Sequence, residues 1–250
     1  VAGVTLDALP GPALARRWGI PSCLLAREVG SALDEVHALG QAGAPEGSLV
    51  LAETQTAGRG RDGRTWQSPA GGIWLGLLLR PKTAALGIVS IRAGLVLADV
   101  VDDLLGAPLT RLKWPNDVLL HDRKLAGILC EGRWQGEALQ WLGVGIGVNV
   151  ANPVPPGLRE RAIALEEALP GIRRLDVLDR LIPSLTRLGM SADRLSESEV
   201  AAFAARDWLR DRALRSPVAG RGAGVRADGA LVVAGEGEIA VVREGHVEPA

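Results

Sequence analysis

The residues with the most chemical promise lie where cations meet glycines. Residues 55–66 read Gln55-Thr56-Ala57-Gly58-Arg59-Gly60-Arg61-Asp62-Gly63-Arg64-Thr65-Trp66. Glycine lets backbone approach a ligand closely. Backbone N–H groups beside guanidinium forks suit phosphate and carboxylate together, and Trp66 adds an apolar plane for a base or ring. Gly58, Gly60 and Gly63 also spell G-x-G-x-x-G, but that dinucleotide fingerprint needs a helix directly after the glycines. Gln67-Ser68-Pro69-Ala70-Gly71-Gly72 cannot start one. A freely solvated Arg-Gly run is the plain alternative, and the strands predicted on both sides weigh against it.

Of 28 basic side chains only three are lysine: Lys82, Lys113 and Lys124. In a chain that otherwise writes arginine, a compact ammonium is a chemical choice. Lys113-Trp114-Pro115-Asn116-Asp117 ends one strand and turns into the next; Pro-Asn-Asp is ordinary turn chemistry. Beside a triphosphate, Asn116 and Asp117 could also hold Mg2+, directly or through its water shell. Lys124 opens the apolar run Lys124-Leu125-Ala126-Gly127-Ile128-Leu129-Cys130, where Gly127 would let a ligand lie flat. Gly143, Gly145 and Gly147 strip side chains from one strand face at period two. That clears a floor, with Asn149 at its end.

These residues need elements to hold them. The spacing predicts strands over 23–29, 49–52, 73–79, 111–114, 118–120, 125–131 and 138–150, with a long loop from Thr56 to Gly72. Helices are predicted over 32–40, capped by Ser31, over 87–105, and over 158–169, 174–190 and 197–211. Strands gathered before helices imply an α+β fold: a mixed, largely antiparallel sheet with helices packed on one face. Residues 1–22 read as an N-terminal extension, 23–211 as the main domain, and 212–250 as a small β domain with an Asp228-Gly229 hairpin turn.

The 250 residues are 47% hydrophobic with a net charge of −1, which suits a sizeable core and argues against a general nucleic-acid binder. No apolar stretch approaches the roughly 18 residues of a membrane span, and no secretory pattern opens the chain. Cys23 and Cys130 sit in apolar runs and read as reduced thiols rather than a disulfide. His37, His121 and His246 have no companions at zinc-ligand spacing. Trp18, Trp134, Trp141 and Trp208 are assigned to core or interface.

The segment 55–66 resembles the biotin-binding loop of biotin protein ligases. The Lys113–Asp117 and Lys124–Leu129 segments are similar to that family's next two motifs, in the same order, and Gly143–Asn149 to its Gly-Ile-Asn strand. The resemblance implies the class II synthetase-like ligase fold with a C-terminal SH3-like barrel, and a reaction that forms biotinyl-5'-AMP from biotin and ATP with Mg2+. Biotin then passes to a lysine of a biotin carboxyl carrier protein. It places Lys124, Arg61 and Lys113 in catalysis. Biotin falls to Ser31, Ala32, Leu33, Gln55, Gly58, Arg59, Gly60, Arg61, Lys124, Gly127 and Gly145; ATP falls to Arg61, Arg64, Trp66, Lys113, Asn116 and Asn149. A cytoplasmic protein is implied, off the membrane, and a homodimer stays open.

The pattern departs from the family at one place. Ser-Thr-Asn is usual where this chain has Ser31-Ala32-Leu33, so biotin binding is expected to persist with altered affinity. The first 22 residues are too few for a winged helix, and no DNA binding is expected. Lipoate–protein ligase is the nearest competitor, though such enzymes typically lack the Arg-Gly run. A non-catalytic biotin or nucleotide sensor is the competitor from another class.

Overall fold

A computed structural model describes residues 4–81, 85–188 and 193–250. The chain enters through a short hairpin, β1 (Thr5–Leu6) and β2 (Leu9–Pro10), and helix α1 (Gly11–Trp18). Strand β3 (Cys23–Val29) then leads to α2 (Ala32–Gln41), β4 (Leu49–Gln55), β5 (Ile73–Leu79) and the long α3 (Leu86–Leu105). Four antiparallel strands follow: β6 (Thr110–Lys113), β7 (Asp117–Leu120), β8 (Arg123–Gln135) and β9 (Ala138–Val148). Helices α4 (Arg174–Leu185) and α5 (Glu197–Arg206) complete this part. The strands form one seven-stranded sheet, β3-β4-β5-β9-β8-β7-β6, in which β3 and β4 alone run parallel.

Period-two alternation sorts the side chains between two faces. Leu49, Leu51, Leu77 and Leu79 join the main core with Leu14 of α1, Leu97 of α3, Leu178 of α4 and Phe203 of α5. Val50 and Leu78, one residue out of phase, meet Ala32 and Val36 of α2. Among the described residues, four helices therefore cover one face, as the sequence implies, while α2 alone packs on the other. That second face is left largely open, and the site lies there. Leu6, Leu14, Ala15, Trp18 and Ile20 are buried in the main core, so the segment before Cys23 belongs to the same packed unit.

Helix α2 is capped as its sequence predicts, by Ser31 Oγ accepting from Leu33 N at 3.3 Å. Three helix expectations are corrected. Residues 158–169 hold only 3₁₀ turns at Pro156–Leu158 and Leu165–Glu167. Between them the chain runs extended beside Lys124, whose N–H donates to Arg161 O at 2.7 Å and whose carbonyl accepts from Ile163 N at 3.1 Å. A neighbouring strand's open edge has outcompeted local helix propensity. Helix α5 likewise stops at Arg206, because Trp208 N donates to Leu112 O of β6 at 2.9 Å. The helix expected over 174–190 also ends early, at Leu185, and its last two expected residues lie outside the described residues.

The C-terminal strands are β10 (Ala213–Ser216), β11 (Gly220–Val225), β12 (Leu231–Ala234), β13 (Ile239–Val242) and β14 (Glu248–Pro249). They form a separate antiparallel sheet of SH3-like type in the order β13-β12-β11-β10-β14. Asp228-Gly229 makes the predicted turn, with Gly229 at φ 80° and Arg226 N donating to Ala230 O at 2.9 Å. This sheet docks on the main unit through Trp114 Nε1 donating to Gly229 O at 2.9 Å. Among the described residues no helix is long and apolar enough to cross a membrane.

Candidate active site

On the open face, β5, β9 and β8 lie side by side with Gly76 opposite Gly145, Leu129 opposite Gly145 and Gly127 opposite Gly147. Gly127, Leu129, Gly145 and Gly147 form the floor of a cavity of about 480 Å3. The predicted glycine floor is real, but its parts differ. A Cβ on Gly147 would meet the Trp66 indole at 2.7 Å, and one on Gly143 would meet Leu33 at 2.7 Å and His37 at 3.0 Å. Gly143 is thus buried under side chains, while Gly147 borders the cavity beneath the Trp66 indole. Gly145, whose nearest neighbour to such a Cβ is Leu33 at 3.5 Å, borders the cavity.

Residues 58–66 form a tight hairpin roof rather than an irregular loop. Trp66 N donates to Gly58 O at 2.8 Å and Gly60 N to Arg64 O at 2.7 Å, with a 3₁₀ turn at Arg61–Gly63 between them. The close approach requires Gly58, since an added Cβ would meet Trp66 O at 2.5 Å. Gln55 ties the hairpin's base: its Nε2 donates to Ser68 Oγ at 2.7 Å, and its Oε1 accepts from Ala32 N at 2.8 Å. The amide expected to reach a ligand therefore joins α2 to the roof.

The three arginines have separate fates. Arg59 borders the cavity, but its fork is engaged with Asp34 (2.7 and 2.9 Å) and Glu131 (3.0 and 3.1 Å). Arg61 and Arg64 line the cavity, and among the described residues neither is in an ion pair with a carboxylate. Arg64 Nη1 lies 3.4 Å from His246 of the C-terminal sheet. Trp66 rests against Trp74 edge-to-face at 6.4 Å, with the Lys124 ammonium 5.0 Å from its ring centre. Its Nε1 is buried with no hydrogen-bond partner. An orphaned donor of this kind suits an acceptor on a ligand.

Lys124 Nζ lies 2.7 Å from Asp117 Oδ1, and both line the cavity. Asn116 clasps β8, donating from Nδ2 to Ile128 O and accepting from Ile128 N, each at 2.9 Å. Asn149 Oδ1 accepts from Asn152 Nδ2 at 3.1 Å. Lys113 stands apart: it does not line the cavity but lies 5.3 Å over the Trp208 ring. Burial pushes its ammonium below the usual lysine range, opposed by Asp117.

Of the residues singled out from sequence, the cavity gathers Ser31, Leu33, Gln55, Arg59, Gly60, Arg61, Arg64, Trp66, Asn116, Asp117, Lys124, Gly127, Gly145, Gly147 and Asn149. Ala32, Gly58 and Lys113 are left outside it. Sequence reasoning missed Trp74, the wall made by Asn152, Pro153, Val154, Pro155, Leu158 and Arg161, and His246. The prolines at 153, 155 and 156 marked an irregular segment ahead of the expected helix; nothing local marked His246.

A glycine-floored mixed sheet, roofed by an arginine hairpin and joined to an SH3-like sheet, is an α+β arrangement that solved biotin protein ligase structures share. Biotin protein ligase from Aquifex aeolicus in complex with biotin and ATP superposes with a TM-score of 0.74 at 26% identity, covering 91% of this chain and 98% of that one. Residues 33–149 match the model of the Biotin/lipoate A/B protein ligase family. A bifunctional ligase/repressor BirA from Bacillus subtilis is 38% identical over 141 residues, 53% of this chain and 42% of the relative. A biotin--[acetyl-CoA-carboxylase] ligase from Paracoccus denitrificans is 42% identical over 147 residues, 55% and 61% of the two. These matches span about half the length of the curated relatives.

Proposed function

We propose that this chain is an ATP-dependent biotin–protein ligase. The observation that carries the reading is a single cavity in which an apolar slot, between Leu33, Leu129 and Gly145, runs into a cluster of cations, Arg61, Arg64 and Lys124. The slot suits the ring and chain of biotin, and the cations suit the place where its carboxylate meets the triphosphate. Two anions must approach there, so catalysis rests on charge neutralisation and alignment. The carboxylate oxygen attacks the α-phosphorus and pyrophosphate leaves, giving biotinyl-5'-AMP. A lysine amine of the carrier then attacks the acyl carbon, AMP leaves and an amide forms. No protein nucleophile is required.

In this reading Lys124 faces the reacting oxygens, Arg61 and Arg64 hold phosphates, and Trp66, Asn116 and Asn149 border the nucleotide. Lys113 acts from behind, through the field it shares with Asp117 and Lys124. Among the described residues there is no group of three or more metal-ligating side chains. That fits an Mg2+ ion that arrives with phosphate and keeps its waters, with Asp117 as the protein's carboxylate; such an ion would neutralise phosphate charge. At the ring end, Gln55 is spent on Ala32 and Ser68 and Leu33 is apolar, which favours weaker polar contact with the ureido group. The carrier is the biotin-accepting domain of a carboxylase, as the relatives' names suggest.

The test is incubation with ATP, Mg2+, biotin and such a domain, followed by intact-mass measurement. One biotinyl addition is expected, with pyrophosphate released even when the carrier is omitted. No addition and no pyrophosphate would sink the reading; pyrophosphate alone would leave the carrier assignment at fault.

A further inference from the structure

The Arg59 guanidinium makes four hydrogen bonds to two carboxylates on different elements, Asp34 of α2 and Glu131 of β8. Glu131 is itself held from a third side. His37 Nδ1 accepts from Trp141 Nε1 at 3.1 Å, so the imidazole proton sits on Nε2 and faces Glu131 Oε2 at 3.2 Å. His37 is buried, which fixes this arrangement in the packing of α2 on β9. Asp34 and His37 flank the slot-lining Leu33 on one helix. The hairpin, the helix and the sheet are therefore locked together at one guanidinium. The hydrogen bond from His37 and those from Arg59 lower the Glu131 carboxyl to about 2, so it is charged throughout the neutral range.

We propose that Asp34 and Glu131 are positioning residues: through Arg59 they hold the 58–66 hairpin closed over the cavity before any ligand arrives. Neither carboxylate lines the cavity. Their role is to place the backbone that carries Arg61, Arg64 and Trp66. A roof that is already ordered spares the acid the entropy of ordering it, which appears as tighter binding rather than faster chemistry. The binding consequence rests on the function proposed above; the closure of the hairpin does not.

The hairpin carries its own reporter, because trypsin cleaves after Arg61 and Arg64. Cleavage of a transiently open segment tracks the population of its open form. Ligand-free wild type is compared with Asp34→Asn, Glu131→Gln, the double variant and Arg59→Lys, which keeps the charge but loses the fork. Fragments are identified by mass, and Tm is measured in parallel. Cleavage at these sites should accelerate about tenfold in the single carboxylate variants and further in the double, with Tm close to wild type. Arg59→Lys should behave as a broken clamp. The KM for biotin should rise by a similar factor while kcat at saturation holds. Equal cleavage of wild type and double variant would overturn the proposal, and so would faster cleavage spread along the whole chain with a lowered Tm. If biotin proves not to be the substrate, the proteolysis still decides whether the clamp exists.

Discussion

At the scale of single residues, Lys124 carries the sharpest expectation. Its ammonium meets Asp117 at 2.7 Å and the Trp66 face at 5.0 Å, and its backbone is pinned on both sides by residues 161 and 163. A cation fixed this well needs little reorganisation as charge develops on the transferring group. Losing one such fixed donor typically costs about 10²–10³ in rate. Lys124→Ala should lower pyrophosphate release with biotin and ATP by that order while Tm moves little, as measured by single-turnover release and thermal melts. A rate within threefold of wild type would remove Lys124 from the chemistry. Sequence made this residue visible because lysine is rare in the chain. The three hairpin arginines were not separable in that way. Asp34 and Glu131, the carboxylates that claim Arg59, lie 25 and 72 positions away, and spacing says nothing about such partners. Lys113 shows the opposite failure: a motif lysine whose ring contact with Trp208 depends on a strand-to-tail pairing at Leu112.

At the scale of elements, the glycines of β9 should respond in opposite ways. Gly145→Ala would put a methyl into the cavity with no contact closer than 3.5 Å, so the fold should tolerate it while biotin affinity falls. Gly143→Ala would press on Leu33 and on His37, and the latter is buried and held between Trp141 and Glu131, so it cannot yield cheaply. Overpacking of this sort costs about 1–3 kcal/mol. Titration calorimetry and melting on the pair should show weaker binding at unchanged Tm for the first, and a Tm several degrees lower for the second. If both variants lose stability equally, the assignment of Gly145 to the cavity is wrong. The strands themselves were legible: β3 and β5 match their expected bounds because alternation and apolar runs are local signals. The failures at 158–169 and beyond Arg206 share a cause. In both places a strand elsewhere in the chain offered backbone partners, and helical periodicity cannot register that competition.

At the scale of the whole molecule, the question is why the C-terminal sheet belongs to the site. Gly245 and His246 line the cavity, and His246 is the nearest partner of Arg64. Burial lowers the His246 pKa, and Arg64 and Lys113 lower it further, against Glu248 and Asp117. The imidazole is therefore neutral at neutral pH and can accept from Arg64. For a histidine whose folded pKa is depressed, the unfolded chain binds more protons between the folded value and about 6.5. Stability contributed at this junction is thus present above that window and declines as pH falls through it, where a charged imidazole would face Arg64. Two outcomes follow. His246→Ala should weaken ATP binding severalfold while leaving biotin binding within twofold, because His246 lies 3.4 Å from Arg64, the arginine proposed to hold phosphate. The pH dependence of ATP affinity that wild type shows below about pH 6.5 should flatten in the same variant. Calorimetric titrations at three pH values separate these cases. An unchanged ATP affinity at every pH would mean that the C-terminal sheet covers the cavity without helping to bind its contents.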